Sequence, residues 1–286
     1  MFAQFLFRIL AALPLSVVHR LGALIGVMAY ALSPKYRARL CGNLTQAMGP
    51  PATRLRGAVM RESGKQALEL PWVLLRPHAE VVAKVVKVSG WELVDAAHAE
   101  GAGILFLVPH LGCFEITAQY YASRDRITVL YRPPNFSALM PLIAAGRQRG
   151  GMSIAPAAMS GVRKLVKALR SGEAIGMLPD QTPDVGEGMW APFFDRPAWT
   201  MTLAARLSEV KGVRVICCWA ERLPGGRGYH VRFQAPTAPI EGDTAARVAA
   251  INREMEAMIR ACPTQYLWGY HRYKRPSRVP LPEGEA

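Results

Sequence analysis

A chain of 286 residues with 51% hydrophobic residues, 20% charged residues and a mean hydropathy of +0.10 can bury one sizeable core and is too apolar to be disordered. Its 35 Lys and Arg against 21 Asp and Glu leave a net charge of +14 and a pI near 10, which draws it toward nucleic acid, anionic lipid or an acidic protein. The five cysteines, Cys41, Cys113, Cys217, Cys218 and Cys262, form no Cys-x2-Cys pair and no Cys/His ligand spacing, which argues for a reducing compartment and against disulfides and structural zinc.

Residues 2–33 are strongly apolar but interrupted by Arg8, Pro14 and His19-Arg20. The longest uncharged stretch, Leu21 to Pro34, falls short of the roughly 20 residues of a comfortable membrane span. Residues 1–33 are therefore expected to form a hydrophobic membrane anchor, with a tilted or interfacial helix and a true span as equal alternatives. A buried core helix and a signal peptide ending near Ala29-Tyr30-Ala31 are the other readings. The basic residues that follow, Lys35, Arg37, Arg39, Arg54 and Arg56, with no acid before Glu62, would keep residues 34–286 on the cytoplasmic side as a single α/β domain.

Thr53 to Leu75 reads as a helix. From about residue 80, apolar runs of strand length alternate with amphipathic stretches of helix length, the pattern of a largely parallel sheet flanked by helices. The predicted strands are Val85–Val88, Ile104–Val108, Ile127–Tyr131, Ala174–Leu178, Val213–Ala220 and Tyr229–Phe233. A helix is predicted over Phe136–Arg149. Another carries Val162, Leu165, Val166 and Leu169 on one face and Arg163, Lys164, Lys167 and Arg170 on the other, with Ser160 as its cap. Residues 180–198, with Pro183, Gly186, Gly188, Pro192 and Pro197, read as a long loop. Val248, Ile251, Met255 and Met258 mark a last helix behind Asp243 or Thr244.

The sharpest chemical signal is Pro109-His110-Leu111-Gly112-Cys113-Phe114-Glu115, between a strand and a helix. A histidine there stands at the carboxyl end of a strand, where open α/β sheets place their ligands. Near a helix amino terminus the neutral ring is favoured. Glu115 could reach the other ring nitrogen and fix its tautomer, giving a base that deprotonates an alcohol. On spacing alone, a histidine that only caps the helix is an equal alternative. Arg132 and Asp180-Gln181 also follow strands, so a base, a guanidinium and a carboxylate could share one sheet edge.

Taken together, His110-x4-Glu115, Tyr131-Arg132-Pro133, Arg147-x-Arg149, Leu178-Pro179-Asp180-Gln181, Ala191-Pro192-Phe193-Phe194, and Gln265-Tyr266-Leu267-Trp268 with His271-Arg272 resemble the bacterial lipid A biosynthesis acyltransferases, the late lauroyl and myristoyl transferases. The likeness covers nearly the whole chain. It implies a glycerolipid-acyltransferase-like fold, an inner-membrane location facing the cytoplasm, acyl carrier protein thioesters as donors and a lipid A precursor as acceptor. His110 would be the catalytic base and Glu115 its partner. Arg132, Arg147, Asp180 and Gln181 would serve substrate binding, and no metal or other cofactor is implied. Two departures bear on specificity: Asp195 stands where the family usually has glycine after Phe193-Phe194, and Cys113-Phe114 where it often has Asn-Trp.

Other lipid alcohols, a lysophospholipid among them, could be acylated by the same pair. A non-catalytic basic membrane protein or a nucleic-acid-binding protein is the rival from another class. The nucleic-acid reading lacks a recognisable reader motif, and the basic residues are scattered among apolar segments. A serine hydrolase lacks its Gly-x-Ser-x-Gly elbow.

Overall fold

A computed structural model describes residues 2–131 and 137–282. Its strands are β1 (Val85–Ser89), β2 (Ile104–Leu107), β3 (Ile127–Tyr131), β4 (Met152–Pro156), β5 (Ala174–Met177), β6 (Gly188–Phe193), β7 (Arg196–Met201), β8 (Arg214–Arg222) and β9 (Tyr229–Gln234). Seven of them form one sheet in the order β1-β9-β8-β2-β5-β3-β4. Strands β8, β2, β5, β3 and β4 run parallel, β9 is antiparallel to β8, and β1 is parallel to β9. The sheet is thus largely parallel, as the sequence predicts. Strands β2 and β5 are buried at every position, which is why they are continuous apolar runs: central parallel strands are covered on both faces.

The helices are α1 (Phe2–Ala12), α2 (Leu15–Leu32), α3 (Pro34–Met48), α4 (Ala52–Leu75), α5 (His78–Val82), α6 (Glu92–Ala99), α7 (Phe114–Ala122), α8 (Met140–Arg147), α9 (Met159–Arg170), α10 (Leu203–Ser208) and α11 (Thr244–Ala261). One face of the sheet packs Phe106 and Val231 against Val94, Ile116 and Tyr121. The other packs Leu107 and Ile175 against Leu165, Leu207 and Met255. Helix α4, about 36 Å long at 1.5 Å per residue, joins the two layers, with Val59 in one core and Trp72 in the other.

Several local expectations change. Strand β4, which is not among the predicted strands, extends the sheet beyond β3. The expected loop over residues 180–198 contains β6 and leads into β7, an antiparallel hairpin. Its two-residue turn is Phe194-Asp195, both at positive φ (49° and 59°), as a twist-matched hairpin turn requires. The Asp195 departure therefore falls on turn conformation. Helix α9 begins at Met159 behind Ala158, with no side-chain cap, so Ser160 is not its cap. The helix expected over Phe136–Arg149 is shorter, with a 3₁₀ turn at Ser137–Leu139 leading into α8, and Phe136 lies outside the described residues. Asp243 caps α11, accepting from the Ala246 N–H at 2.8 Å.

The 18-residue helix α2 is long and apolar enough to cross a membrane, yet it buries one face on α4. A Cβ on Gly64 would lie 1.9 Å from the Gly22 carbonyl oxygen and 2.5 Å from the Gly26 nitrogen, so the two helices cross with backbones in contact. The opposite face exposes Leu21, Leu24, Ile25 and Met28, and α1 exposes Phe2, Phe5, Leu6 and Ile9.

Buried His19 of α2 reaches Glu69 of α4 (Nε2 to Oε2, 3.1 Å), and Glu69 also accepts from Arg222 Nε (2.9 Å) and Nη2 (2.5 Å) and from the Tyr229 hydroxyl (3.1 Å). Burial pushes the Glu69 carboxyl up, but Arg222 and then His19 outweigh it and hold the pKa at about 2 against an ordinary 4.5. A depressed carboxyl stabilises the fold fully above the ordinary value and loses that contribution as the pH falls through the folded one. We expect this cluster to withdraw about 3 kcal/mol between pH 5 and 2. Urea midpoints measured across that range should fall in wild type, and should fall less in Glu69→Gln, which starts lower at pH 7.

Candidate active site

The turn between β2 and α7 carries His110. Gly112 in this turn has φ +58°, and a Cβ there would meet the Ala220 carbonyl oxygen at 1.9 Å, so only glycine lets the turn press against β8. The turn is fastened from three sides. Gly112 N–H donates to Gln265 O (3.0 Å) and Cys113 N–H to Ala220 O (2.9 Å), while Leu267 N–H donates to His110 O (3.1 Å). Gln66 of α4 donates to both His110 O (3.2 Å) and Gly112 O (3.3 Å).

The loop after β5 supplies Asp180, 1% exposed. Its Oδ2 accepts from the His110 backbone N–H at 2.8 Å and its Oδ1 meets His110 Nδ1 at 2.7 Å. A carboxylate there fixes the ring proton on Nδ1 and leaves Nε2 as the acceptor. Burial pushes the Asp180 carboxyl up, but His110 and the charge of Arg272 hold it below the usual range. Arg272 is itself buried, donating to Trp199 O (2.8 Å) and Thr200 Oγ1 (2.7 Å).

Here the expected pairing of His110 with Glu115 is corrected. Glu115 begins α7 beyond the Gly112 turn and is gripped by Arg147 of α8: Nε reaches Oε2 at 3.1 Å and Nη2 bonds Oε1. Burial lowers the affinity of the Arg147 guanidinium for its proton, but Glu115 more than reverses this and raises its pKa. Arg149 turns the other way, holding Val73 O (2.6 Å), Arg76 O and Gln119 Oε1 (3.1 Å). It therefore ties α4 to α7. Gln181 lines the site, half-buried, while Arg132 lies outside the described residues. Gln66 and the support given by Arg272 were not anticipated as parts of the site. Nothing in local spacing marks a glutamine 44 residues upstream as a partner of the His110 turn.

His110, Glu115 and Arg147 open onto a cavity of about 790 Å³. Phe106, Gly176 and Val129 stand in register across β2, β5 and β3 and face α7. Gly176 stands in the centre of this row, and with Thr117, Ala118, Tyr121, Ile127 and Met152 it lines an apolar slot of the cavity. Phe114 packs its ring against His110, with centroids 4.8 Å apart. Of the two residues where this chain departs from Asn-Trp, Phe114 therefore shapes the site. Cys113 is buried, and burial followed by the charge of Glu69 pushes its thiol well up, which makes it a poor nucleophile.

This geometry coincides with a match to the family of bacterial lipid A biosynthesis acyltransferases over residues 2–275. The chain belongs to this family. Similar proteins include the lipid A biosynthesis lauroyltransferase of Escherichia coli (strain K12), 26% identical over 94% of this chain and 89% of that protein. The palmitoleoyltransferase of the same organism is 24% identical over 92% and 86%. Its myristoyltransferase is 22% identical over 86% and 77%. The relatives' names differ in the acyl chain moved, so family membership assigns acyl transfer without assigning the chain.

Proposed function

We propose that this acyltransferase moves a fatty acyl chain from an acyl carrier protein thioester to a hydroxyl of a lipid A precursor at the cytoplasmic face of the inner membrane. The observation that carries this reading is His110, held through both its backbone N–H and Nδ1 by buried Asp180 at the mouth of an apolar slot. The exposed apolar faces of α1 and α2 support a protein that sits on the bilayer with α2 docked on α4, as in an interfacial anchor.

In the proposed reaction the acyl chain lies in the slot and its thioester carbonyl stands beside His110. Nε2 takes the proton of the acceptor hydroxyl as its oxygen attacks the carbonyl carbon. The tetrahedral intermediate carries an oxyanion. Collapse breaks the C–S bond, and the proton on Nε2 passes to the departing thiolate. The N–H groups of Leu111, Gly112 and Cys113 already donate to Pro109, Gln265 and Ala220 carbonyls, so the turn itself offers the oxyanion no free donor and the charge is assigned to Arg147. Its Nη1 has no partner among the described residues, and a guanidinium suits either an oxyanion or a lipid phosphate. Glu115 keeps that guanidinium in place.

Full-length protein in detergent, given an acyl carrier protein thioester and either a lipid A precursor or a lysophospholipid, distinguishes the acceptors by mass spectrometry. The expected product is the lipid A precursor heavier by one ester-linked acyl chain. Acylation of the lysophospholipid alone would overturn the acceptor assignment.

A further inference from the structure

Helix α9 has one buried face and one basic face. Gly161, Leu165, Ala168 and Leu169 are buried in the core, whereas Arg163, Lys164, Lys167 and Arg170 are all exposed and the helix contains no acidic residue. Some exposed arginines elsewhere are paired within the fold, Arg214 with Glu100 and Arg260 with Glu256. Among the described residues Arg163, Lys167 and Arg170 have no such partner, and Lys164 donates only to Ile154 O. The four charges lie along about 10 Å of helix. The same helix borders the site: Met159, Val162 and Val166 line the cavity that holds His110, and Met159 is 70% exposed. Arg206, also exposed, lines the same cavity from α10.

We propose that the outer face of α9 is the docking surface for the donor protein, a small acidic protein whose acyl thioester reaches the cavity past Met159. This rests on the reading of the donor as an acyl carrier protein. An uncompensated row of cations attracts an anionic partner and orients it. An anionic bilayer is the weaker occupant. Leu165 and Leu169 of α9 pack in the core on one face of the sheet, while Leu15 and Val18 of the apolar α2 pack in the core on the other. The exposed apolar residues Phe2, Phe5, Leu6 and Ile9 belong to α1 and Leu21, Leu24, Ile25 and Met28 to α2, and none belongs to α9 beyond Met159.

The test compares two donors bearing the same acyl chain, the carrier protein thioester and acyl-pantetheine, which lacks both protein and phosphate. Arg163→Glu combined with Lys167→Glu in the full chain is expected to raise KM for the carrier protein donor at least tenfold. Its kcat, its KM for acyl-pantetheine and its melting temperature should stay near wild type. Lys35→Glu with Arg39→Glu, remote from the cavity lining, should leave both KM values unchanged. An unchanged carrier protein KM, or an equal rise for both donors, would overturn the surface. So would loss of binding to phosphatidylglycerol vesicles with normal donor kinetics, which would reassign the face to lipid. Failure of the donor reading itself would appear in wild type, as turnover of acyl-pantetheine without preference for the carrier protein.

Discussion

His110→Ala is expected to lower kcat about 100- to 10,000-fold, the usual contribution of a general base, while KM stays near its wild-type value because the loss falls on the transition state. Asp180→Asn separates the partners. The side chain keeps its size, but its amide presents N–H groups toward Nδ1 and favours the ring tautomer with the proton on Nε2, which cannot accept from the hydroxyl. A fall comparable to that of His110→Ala is therefore expected. Glu115→Gln, which alters the group bonded to Arg147 instead of the one bonded to His110, should leave the tautomer intact and cost less. Rates come from the mass-spectrometric assay, with circular dichroism to verify folding. An Asp180→Asn variant retaining more than a tenth of wild-type turnover would remove Asp180 from this role.

The second large effect is expected at Arg147. Lysine keeps the charge opposite Glu115 but cannot grip both carboxylate oxygens while presenting another nitrogen to the substrate. Arg147→Lys should therefore lose more than tenfold in kcat/KM with a melting temperature lowered by only a few degrees. Arg147→Ala should behave differently, because Glu115 is 8% exposed and would be left as an unpaired buried charge. Breaking such a pair costs about 3 to 5 kcal/mol, or roughly 6 to 20 °C at the 2 to 4 °C per kcal/mol of domains somewhat smaller than this one. Thermal melts with steady-state kinetics on both variants check this. Normal activity in Arg147→Lys would return the arginine to a purely structural part.

What could be read from the sequence alone follows from periodicity and from strand ends. The continuous apolar runs of β2 and β5 announced strands covered on both faces, and the alternation of strands with amphipathic helices announced a largely parallel sheet. Motif order along nearly the whole chain pointed to the family that the match over residues 2–275 assigns. Short or Pro- and Gly-rich strands were invisible. Strand β4 and the β6–β7 hairpin owe their conformation to neighbours, β3 for the one and each other for the other, and carry little preference of their own.

The partners within the site were decided only by tertiary structure. Local spacing offered Glu115, five residues from His110, because proximity along the chain is all that spacing measures. The sheet places β5 directly beside β2, so Asp180, 70 residues away, ends level with His110 and takes Nδ1. The Gly112 turn separates His110 from the first turn of α7, and α8, arriving beyond β3, brings Arg147 to Glu115. The amphipathic pattern of residues 2–33 marked an apolar segment without saying which side faces protein. The glycine crossing of α2 with α4 and the buried His19–Glu69 contact decide that, because close backbone approach and a shared buried charge exist only once the two helices meet.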